Sequence, residues 1–284
     1  MEAQRASDTA AFTAMLRAAH QLIDDEPKIV DDPIVVALVD DVARGQVAER
    51  PAALRSPALV IPRAAVLLRS RYAEDLLADA VAQGVGQFVI LGAGLDTFAF
   101  RQPAFARRLQ IYEVDHPATQ VWKRERLSTA GVAAPDNLRW APIDFEQQTL
   151  AAGLQDAGFD ASRPAFFSWL GVTQYLTLPA IDATLRVVAA LPSPSTIVLS
   201  FMLPHIDLPA QEAAVARAVA DDAARTGEPW LTRISPQDLA VRLTQLGFRK
   251  VIHLSPEEAN ARYFPGRRDG LRAPHVAQLM NATT

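Results

Sequence analysis

Gln87–Arg101 reads QFVILGAGLDTFAFR, and the fold of the chain turns on this stretch. Phe88-Val89-Ile90-Leu91 is a short apolar, partly β-branched run, with Gly84 and Gly86 before it and Gly92 after it. That pattern suits a strand buried on both faces, as in a parallel sheet. The run meets Gly92-Ala93-Gly94, where missing Cβ atoms permit unusual backbone angles and close approach of a ligand. In open α/β sheets ligands sit beyond the carboxyl ends of the strands, where such a turn would lie. Alone, the glycine pair has two readings: a tight turn, or the base of a site for a nucleotide-like ligand.

A second strand narrows the choice. Leu109–Asp115 (LQIYEVD) ends in acidic residues, with Glu113 falling 21 positions after Gly92 and Asp115 falling 21 after Gly94. A carboxylate about twenty residues past a glycine turn is where Rossmann-like sites accept hydrogen bonds from a ribose diol. The alternative is a solvated strand end. The dinucleotide fingerprint needs a third glycine where this chain has Thr97, and no G-x-x-x-x-G-K-[ST] loop occurs. S-adenosylmethionine (SAM) carries no phosphate and makes no demand for a helix start bared to pyrophosphate. The short G-A-G followed by Leu95-Asp96-Thr97 fits SAM better than NAD.

LGAGLDT with Arg101, then YEVDHP, PIDF and FFSWLGVTQYL, resembles the leucine carboxyl methyltransferase-type family of SAM-dependent methyltransferases, and most of all its bacterial small-molecule branch. The similarity runs from about Pro27 to Arg272. It implies an α/β fold: a Rossmann-like class I methyltransferase sheet with an N-terminal helical cap and a lid insertion after strand 5. The expected parts are 1–61 (cap), 62–202 (SAM-binding core), 203–235 (lid) and 236–284 (C-terminal strands and helix), all within one methyltransferase domain. The resemblance also implies a cofactor-binding set: Arg71, Gly92, Ala93, Gly94, Asp96, Glu113, Asp115, Asp144, Phe145 and Ser168. Arg71 would hold the methionyl carboxylate, a bidentate task that suits arginine better than lysine. Its other reading is an exposed i,i+4 pair with Asp75, and Arg69, sharing a face with Tyr72, Ala73 and Leu76, is the competing arginine. Asp144 would accept from the adenine amino group while Phe145 packs on the ring; otherwise Asp144 caps a helix. At Leu170 the chain departs from the family, which carries an acid there. An ammonium contact through that carboxylate does not transfer, and backbone carbonyls near Gly92 or Ser168 take its place.

The rest of the chain fits this frame. Residues 8–24 have helical apolar spacing, and Asp31-Asp32-Pro33 opens a second helix expected over Ile34–Ala43. A third helix is expected from Pro62 to about Gln83. Helices over Ala118–Thr129, Leu178–Ala190, Pro209–Arg225 and one capped by Ser235 alternate with strands at Leu138–Ile143, Phe166–Leu170, Thr196–Leu203 and Arg249–Leu254. The tail, ARYF at 261–264 and PHVAQLM at 274–280, offers a last strand and a short helix. The charged run Lys123-Arg124-Glu125-Arg126 reads as a solvated helix face.

Composition limits the function classes. The chain has 284 residues, half of them apolar, a net charge of −4 and no cysteine. A large core is therefore available, and thiolate chemistry and disulfides are excluded. No apolar run reaches membrane-spanning length, scattered positive charge gives no footprint for nucleic acid, and Glu2, Arg5 and Asp8 interrupt any secretory signal. A cytoplasmic protein is expected, of unstated oligomeric state. The five histidines form no metal motif, and Ser168 lacks G-x-S-x-G surroundings.

Methyl transfer from a sulfonium is a displacement in which positioning supplies much of the rate. A carboxylate or acidic phenol needs little help from a base, whereas a neutral alcohol does. No base stands out; Tyr175 and His205 are the candidates. The expected activity is O-methylation of a carboxylate or phenol on a small, secondary-metabolite-like acceptor. The acceptor pocket is expected between the N-terminal cap, the loop after Trp169 and the segment His205–Trp230, with Trp169, Tyr175 and Phe201 as either pocket wall or core. The alternatives are a non-catalytic SAM-binding regulator or scaffold and, further off, an NAD-dependent oxidoreductase.

Overall fold

The computed structural model describes residues 8–40, 45, 47, 51–145 and 147–284. Residues 1–7 of the expected cap and 41–43 of the expected second helix lie outside the described residues.

Five parallel strands form most of the sheet: β1 Gln87–Leu91, β2 Gln110–Asp115, β3 Leu138–Pro142, β4 Phe166–Trp169 and β5 Thr196–Met202. With β6 Lys250–Leu254 and β7 Ala277–Thr283 they make seven strands in the order β3-β2-β1-β4-β5-β7-β6, β7 running antiparallel to both its neighbours. Order reverses at β1, so the carboxyl ends of β1 and β4 flank the crevice where such sheets bind ligands.

The apolar runs work because both faces of the sheet are covered. Side chains alternate across a strand, so Phe88, Ile90, Ile111, Phe166 and Val198 enter one core while Val89, Leu91, Tyr112, Val114, Phe167 and Trp169 enter the other. The first is closed by α4 Pro57–Ala82 through Leu67, Leu68 and Leu77. The second is closed by α7 Leu150–Asp156, α8 Leu178–Ala189 and α10 Pro236–Gln245. Trp169 and Phe201, each 2% exposed, are core residues. Full burial of one such side chain contributes roughly 1.5–3 kcal/mol.

Helices lie close to their expected places, with two differences. The long helix begins at Pro57, with Pro62 inside it. Pro57 at the first turn has no N–H to lose. Pro62 forfeits one helical bond, and the buried face from Ala64 to Val81 holds the helix continuous around it. The second helix, α2 Pro33–Leu38, is shorter than expected because Val39 turns to an extended conformation. Further elements are α1 Asp8–Ile23, α3 Pro51–Leu54, α5 Phe98–Arg101, α6 Pro117–Thr129, α9 Ala210–Arg225 and α11 Pro256–Tyr263. Thus 261–263 end a helix, closed at its start by a Ser255–Glu258 capping box, and the last strand is β7. No helix of the described residues is long and apolar enough to cross a membrane.

Candidate active site

The end of β1 is shaped by backbone. Gly92 and Gly94 have φ of +68° and +45°, angles that favour glycine. The Gly92 and Ala93 N–H groups both donate to the Val114 carbonyl, at 2.8 and 3.1 Å. A Cβ on Gly92 would lie 2.4 Å from Val172 Cγ2, and one on Gly94 would lie 3.2 Å from Ala10 Cβ on α1. The turn is thus gripped between the loop after β4 and the N-terminal helix.

Asp115 finishes β2 and braces that turn. Its Oδ2 accepts from the Gly94 N–H at 2.6 Å and its Oδ1 from the His116 N–H at 2.7 Å. Burial pushes its carboxyl up, and those two N–H donors work against the shift. His116 caps α6, its Nδ1 accepting from the Ala118 N–H. Asp96 accepts from the Phe98 N–H at 2.8 Å. Burial opposes its charge, but Arg17, Lys123 and Arg101 hold its carboxyl below the usual range.

Thr97 is fully buried, and its hydroxyl accepts from Arg17 Nη2. Arg17 also donates to the Leu95 carbonyl at 3.3 Å and pairs with Asp32, the cap of α2. Arg101 pairs with Glu74 and lies 3.7 Å from Asp32. These ion pairs fasten α1, α2 and α4 to the loop after β1. The position where a dinucleotide site requires glycine is therefore filled by a side chain with a structural partner.

Glu113 and Lys123 depart most from expectation. Lys123 is 1% exposed rather than solvated, and its Nζ lies 2.6 Å from Glu113 Oε2. The ammonium also faces the rings of Phe100 and Trp140 at 5.4 and 5.8 Å. Burial pushes the Glu113 carboxyl up to about 7 in spite of Lys123, and its Oε1 has no hydrogen-bond partner among the described residues. Glu113 therefore sits inside the pair, not at the surface that Asp115 borders.

The two arginines of α4 face different ways. Arg71 is half-exposed; its Nε binds Asp75 Oδ1 at 2.8 Å and its Nη1 donates to the Ile29 carbonyl at 3.4 Å. Arg69 instead lies against Gly171, whose Cβ, if present, would meet the guanidinium at 2.2 Å. Gly171 has φ +78° and stands at the carboxyl end of β4. Among the described residues Arg69 pairs with no carboxylate. Burial lowers its pKa to about 10, with Tyr175 and Asp96 favouring its charge and Arg17 opposing it. The site thus contains an unpaired, largely desolvated cation two residues from the expected one.

Of the remaining expected residues, Asp144 follows β3 and receives Gln147 Nε2 at 2.7 Å, while Phe145 is 60% exposed. Ser168 lies inside β4, paired between Ile90 and Val198 and 3% exposed. Leu170, where the family has an acid, packs against the core beside α4. Tyr175 lies near Arg69. His205 follows β5, its Nδ1 buried without a hydrogen-bond partner among the described residues. Burial, then the Arg233 and Arg217 charges, hold its pKa below the usual value. The sequence reading had Asp32 as a helix cap, which it is, but not as the partner of Arg17; it had Trp230 only as the end of the acceptor segment; and it missed the roles of Arg17, Glu74, Lys123, Gln174 and Arg233.

These residues fit SAM: a glycine cradle that side chains would fill, an acid ending β2, and a buried cation paired with no carboxylate among the described residues. Sheet order and site together define a SAM-dependent methyltransferase. The chain belongs to the leucine carboxyl methyltransferase family, whose sequence profile matches residues 10–189. YktD of Bacillus subtilis (strain 168), provisionally named an S-adenosyl-L-methionine-dependent methyltransferase, is 31% identical over an alignment of 303 positions covering 99% of each chain. A Mycobacterium marinum protein of the same provisional name is 33% identical over 200 residues, 67% of this chain and 65% of its own. Among solved structures, a methyltransferase-like protein from Thermobifida fusca superposes with a TM-score of 0.61 at 17% identity, covering 99% of this chain and 95% of its own. A Streptomyces avermitilis protein of the DUF574 family gives 0.58 at 15% identity, covering 98% of each chain. At those identities the two structures speak for the fold alone.

Proposed function

We propose that the protein transfers the methyl group of SAM to a carboxylate or phenol oxygen of a small acceptor. The observation that carries this reading lies beyond β5, where the Arg233 guanidinium stands 5.6 Å from the centre of the Trp230 ring and the buried Arg233 Nε and His205 Nδ1 have no hydrogen-bond partner among the described residues. A basic wall attracts an acidic oxygen, and an acidic oxygen is already nucleophilic near neutrality, so it needs no strong base. His205 suits a donor or orienting role better than that of a base, since burial and two arginines lower its proton affinity.

When bound, SAM supplies an electrophilic methyl on a sulfonium. Gly92, Ala93 and Gly94 would present backbone to it, Asp115 would accept from the ribose, and Asp144 and Phe145 would border the adenine. We assign the methionyl carboxylate to Arg69 in place of Arg71, because Arg69, beside Gly171, is paired with no carboxylate among the described residues whereas Arg71 is paired with Asp75. Asp96, beside Arg17 and Lys123, would shape the turn's charge, and Glu113 would act through Lys123 rather than by direct contact. Carbonyls near Gly92 and Ser168 would face the ammonium in the absence of an acid at Leu170. The segment 203–235 would close over the acceptor as a lid; the hydrogen bond from Thr9 to Glu228 joins it to α1.

The test is product formation. The protein is incubated with SAM and a panel of aromatic carboxylic acids, phenols, neutral alcohols and amines, and products are read by mass spectrometry. Methyl esters or aryl methyl ethers are expected; transfer only to amines or neutral alcohols would contradict the reading.

A further inference from the structure

Buried polar atoms in folded proteins nearly always have partners, so a cluster of unsatisfied ones signals something that completes it. Among the described residues six buried side-chain atoms lack a hydrogen-bond partner, and four of them belong to Gln174, His205, Trp230 and Arg233. These residues come from three separate segments that converge at the carboxyl ends of β4 and β5. The Gln174 carbonyl accepts from the Leu231 and Thr232 N–H groups at 2.7 and 3.1 Å, and the Met202 carbonyl accepts from the Ile234 N–H at 3.0 Å. The Arg233 guanidinium stands 5.6 Å from the centre of the Trp230 ring, a cation–π arrangement that fixes a flat, positive wall.

The orphaned atoms have a chemical sense. Trp230 Nε1 and Arg233 Nε are donors only, His205 Nδ1 donates in the matching tautomer, and Gln174 Oε1 accepts only. Gln174 Nε2 is already used, donating to the Gly171 carbonyl at 3.1 Å. The set therefore asks for an oxygen that accepts several hydrogen bonds next to positive charge, and for one hydroxyl that donates. Ile206 and Leu231, next in sequence to His205 and Trp230, are 91% and 56% exposed. They give the neighbourhood an apolar rim.

We propose that Gln174, His205, Trp230 and Arg233 are the acceptor-recognition residues of the enzyme, and that they select a small hydroxylated aromatic acid: its acidic oxygen is held by Arg233, Trp230 and His205, and its hydroxyl by Gln174. This rests on the methyl-transfer reading above. Arg233 discriminates most, because a guanidinium bonded to a carboxylate is charge-assisted and a neutral isostere leaves it unmatched.

The experiment titrates the full chain, first with S-adenosylhomocysteine alone and then, once saturated, with salicylate, benzoate, 4-nitrophenolate and 2-hydroxybenzyl alcohol, using calorimetry. Salicylate is expected to bind at least about tenfold more tightly than 2-hydroxybenzyl alcohol, the factor a charge-assisted bond supplies. Arg233→Ala should erase the preference for acids and leave S-adenosylhomocysteine affinity within about twofold, and Arg233→Lys should retain part of it. Trp230→Phe, which keeps an aromatic six-membered ring and removes the N–H together with the pyrrole ring, serves if Arg233→Ala fails to fold; it should weaken salicylate about threefold or more and 2-hydroxybenzyl alcohol less. The proposal is overturned if the saturated enzyme binds none of the acids, if it binds the alcohol as well as salicylate, or if the substitutions weaken acid and alcohol equally. Failure to bind S-adenosylhomocysteine at all would instead strike the methyl-transfer reading on which it rests.

Discussion

The two sides of the strand ends are built on opposite rules. On the β1–β2 side most polar groups are answered from within the chain: Asp115 by the Gly94 and His116 N–H groups, Thr97 by Arg17, and Glu113 Oε2 by Lys123, with Glu113 Oε1 and Arg126 Nε the exceptions among the described residues. On the side of β5 and the segment before α10, Gln174, His205, Trp230 and Arg233 each keep a buried atom without a hydrogen-bond partner among the described residues. Arg69 lies against Gly171 between the two, hydrogen-bonded to no carboxylate among the described residues and favoured by the more distant charges of Tyr175 and Asp96. If the proposed assignments hold, the contrast teaches that the cofactor is met by a pre-braced turn, whereas the acceptor is met by groups that wait for it.

If the β1–β2 side depends on internal pairing, breaking a pair should cost far more than trimming the acceptor side. The Glu113–Lys123 pair is the sharpest test. Lys123→Met should destabilise the fold by about 3–5 kcal/mol, since it leaves a buried carboxylate without its counter-charge. The loss is read from urea unfolding followed by circular dichroism. Adding Glu113→Leu should recover most of it. If Lys123→Met proves nearly neutral, the pairing is incidental and the contrast between the two sides fails.

A smaller effect comes from pH. The Glu113 carboxyl is raised from 4.5 to about 7 in the folded state. Between those values the folded chain holds a proton that the unfolded chain has released, so this group's contribution favours folding at the low end and is lost as pH rises through about 7. Glu113→Gln removes that contribution. The stability difference between variant and wild type should therefore change steadily from pH 4.5 to 7 and level off above. A difference that stays flat over that window would mean the pair is ionised throughout.

The sequence reveals local features best. The four apolar residues of β1, the alternation that sends Phe88 and Val89 to opposite faces, and the 21-residue spacing from Gly94 to Asp115 are all carried by neighbouring positions. Lys123 was illegible because a buried lysine inside a K-R-E-R run looks like a solvated face; only its partner ten residues earlier and the rings of Phe100 and Trp140 account for its burial. Arg69 and Arg71 are two residues apart, roughly 200° around the helix. Periodicity shows that they point differently, but not which direction faces Gly171. Residues 174, 205, 230 and 233 share no spacing at all, because tertiary convergence alone brings them together. A helix starting at Pro57 rather than Pro62 was hidden for another reason: two prolines competed for the first turn, and burial of the later face decided.

The assignment of Arg69 is the claim most directly open to test, because it fixes where and how the cofactor lies across the two sides. Titrating S-adenosylhomocysteine calorimetrically into wild type, Arg69→Ala and Arg71→Ala compares the unpaired cation with the one bound to Asp75. The wild type should bind one equivalent, and Arg69→Ala should lose about 1.5–3 kcal/mol of binding, the worth of a hydrogen bond to a charged group. Arg71→Ala should change binding little, since an exposed ion pair contributes about 0.2–1 kcal/mol and that to the fold. Intact affinity in Arg69→Ala with its loss in Arg71→Ala would contradict the account.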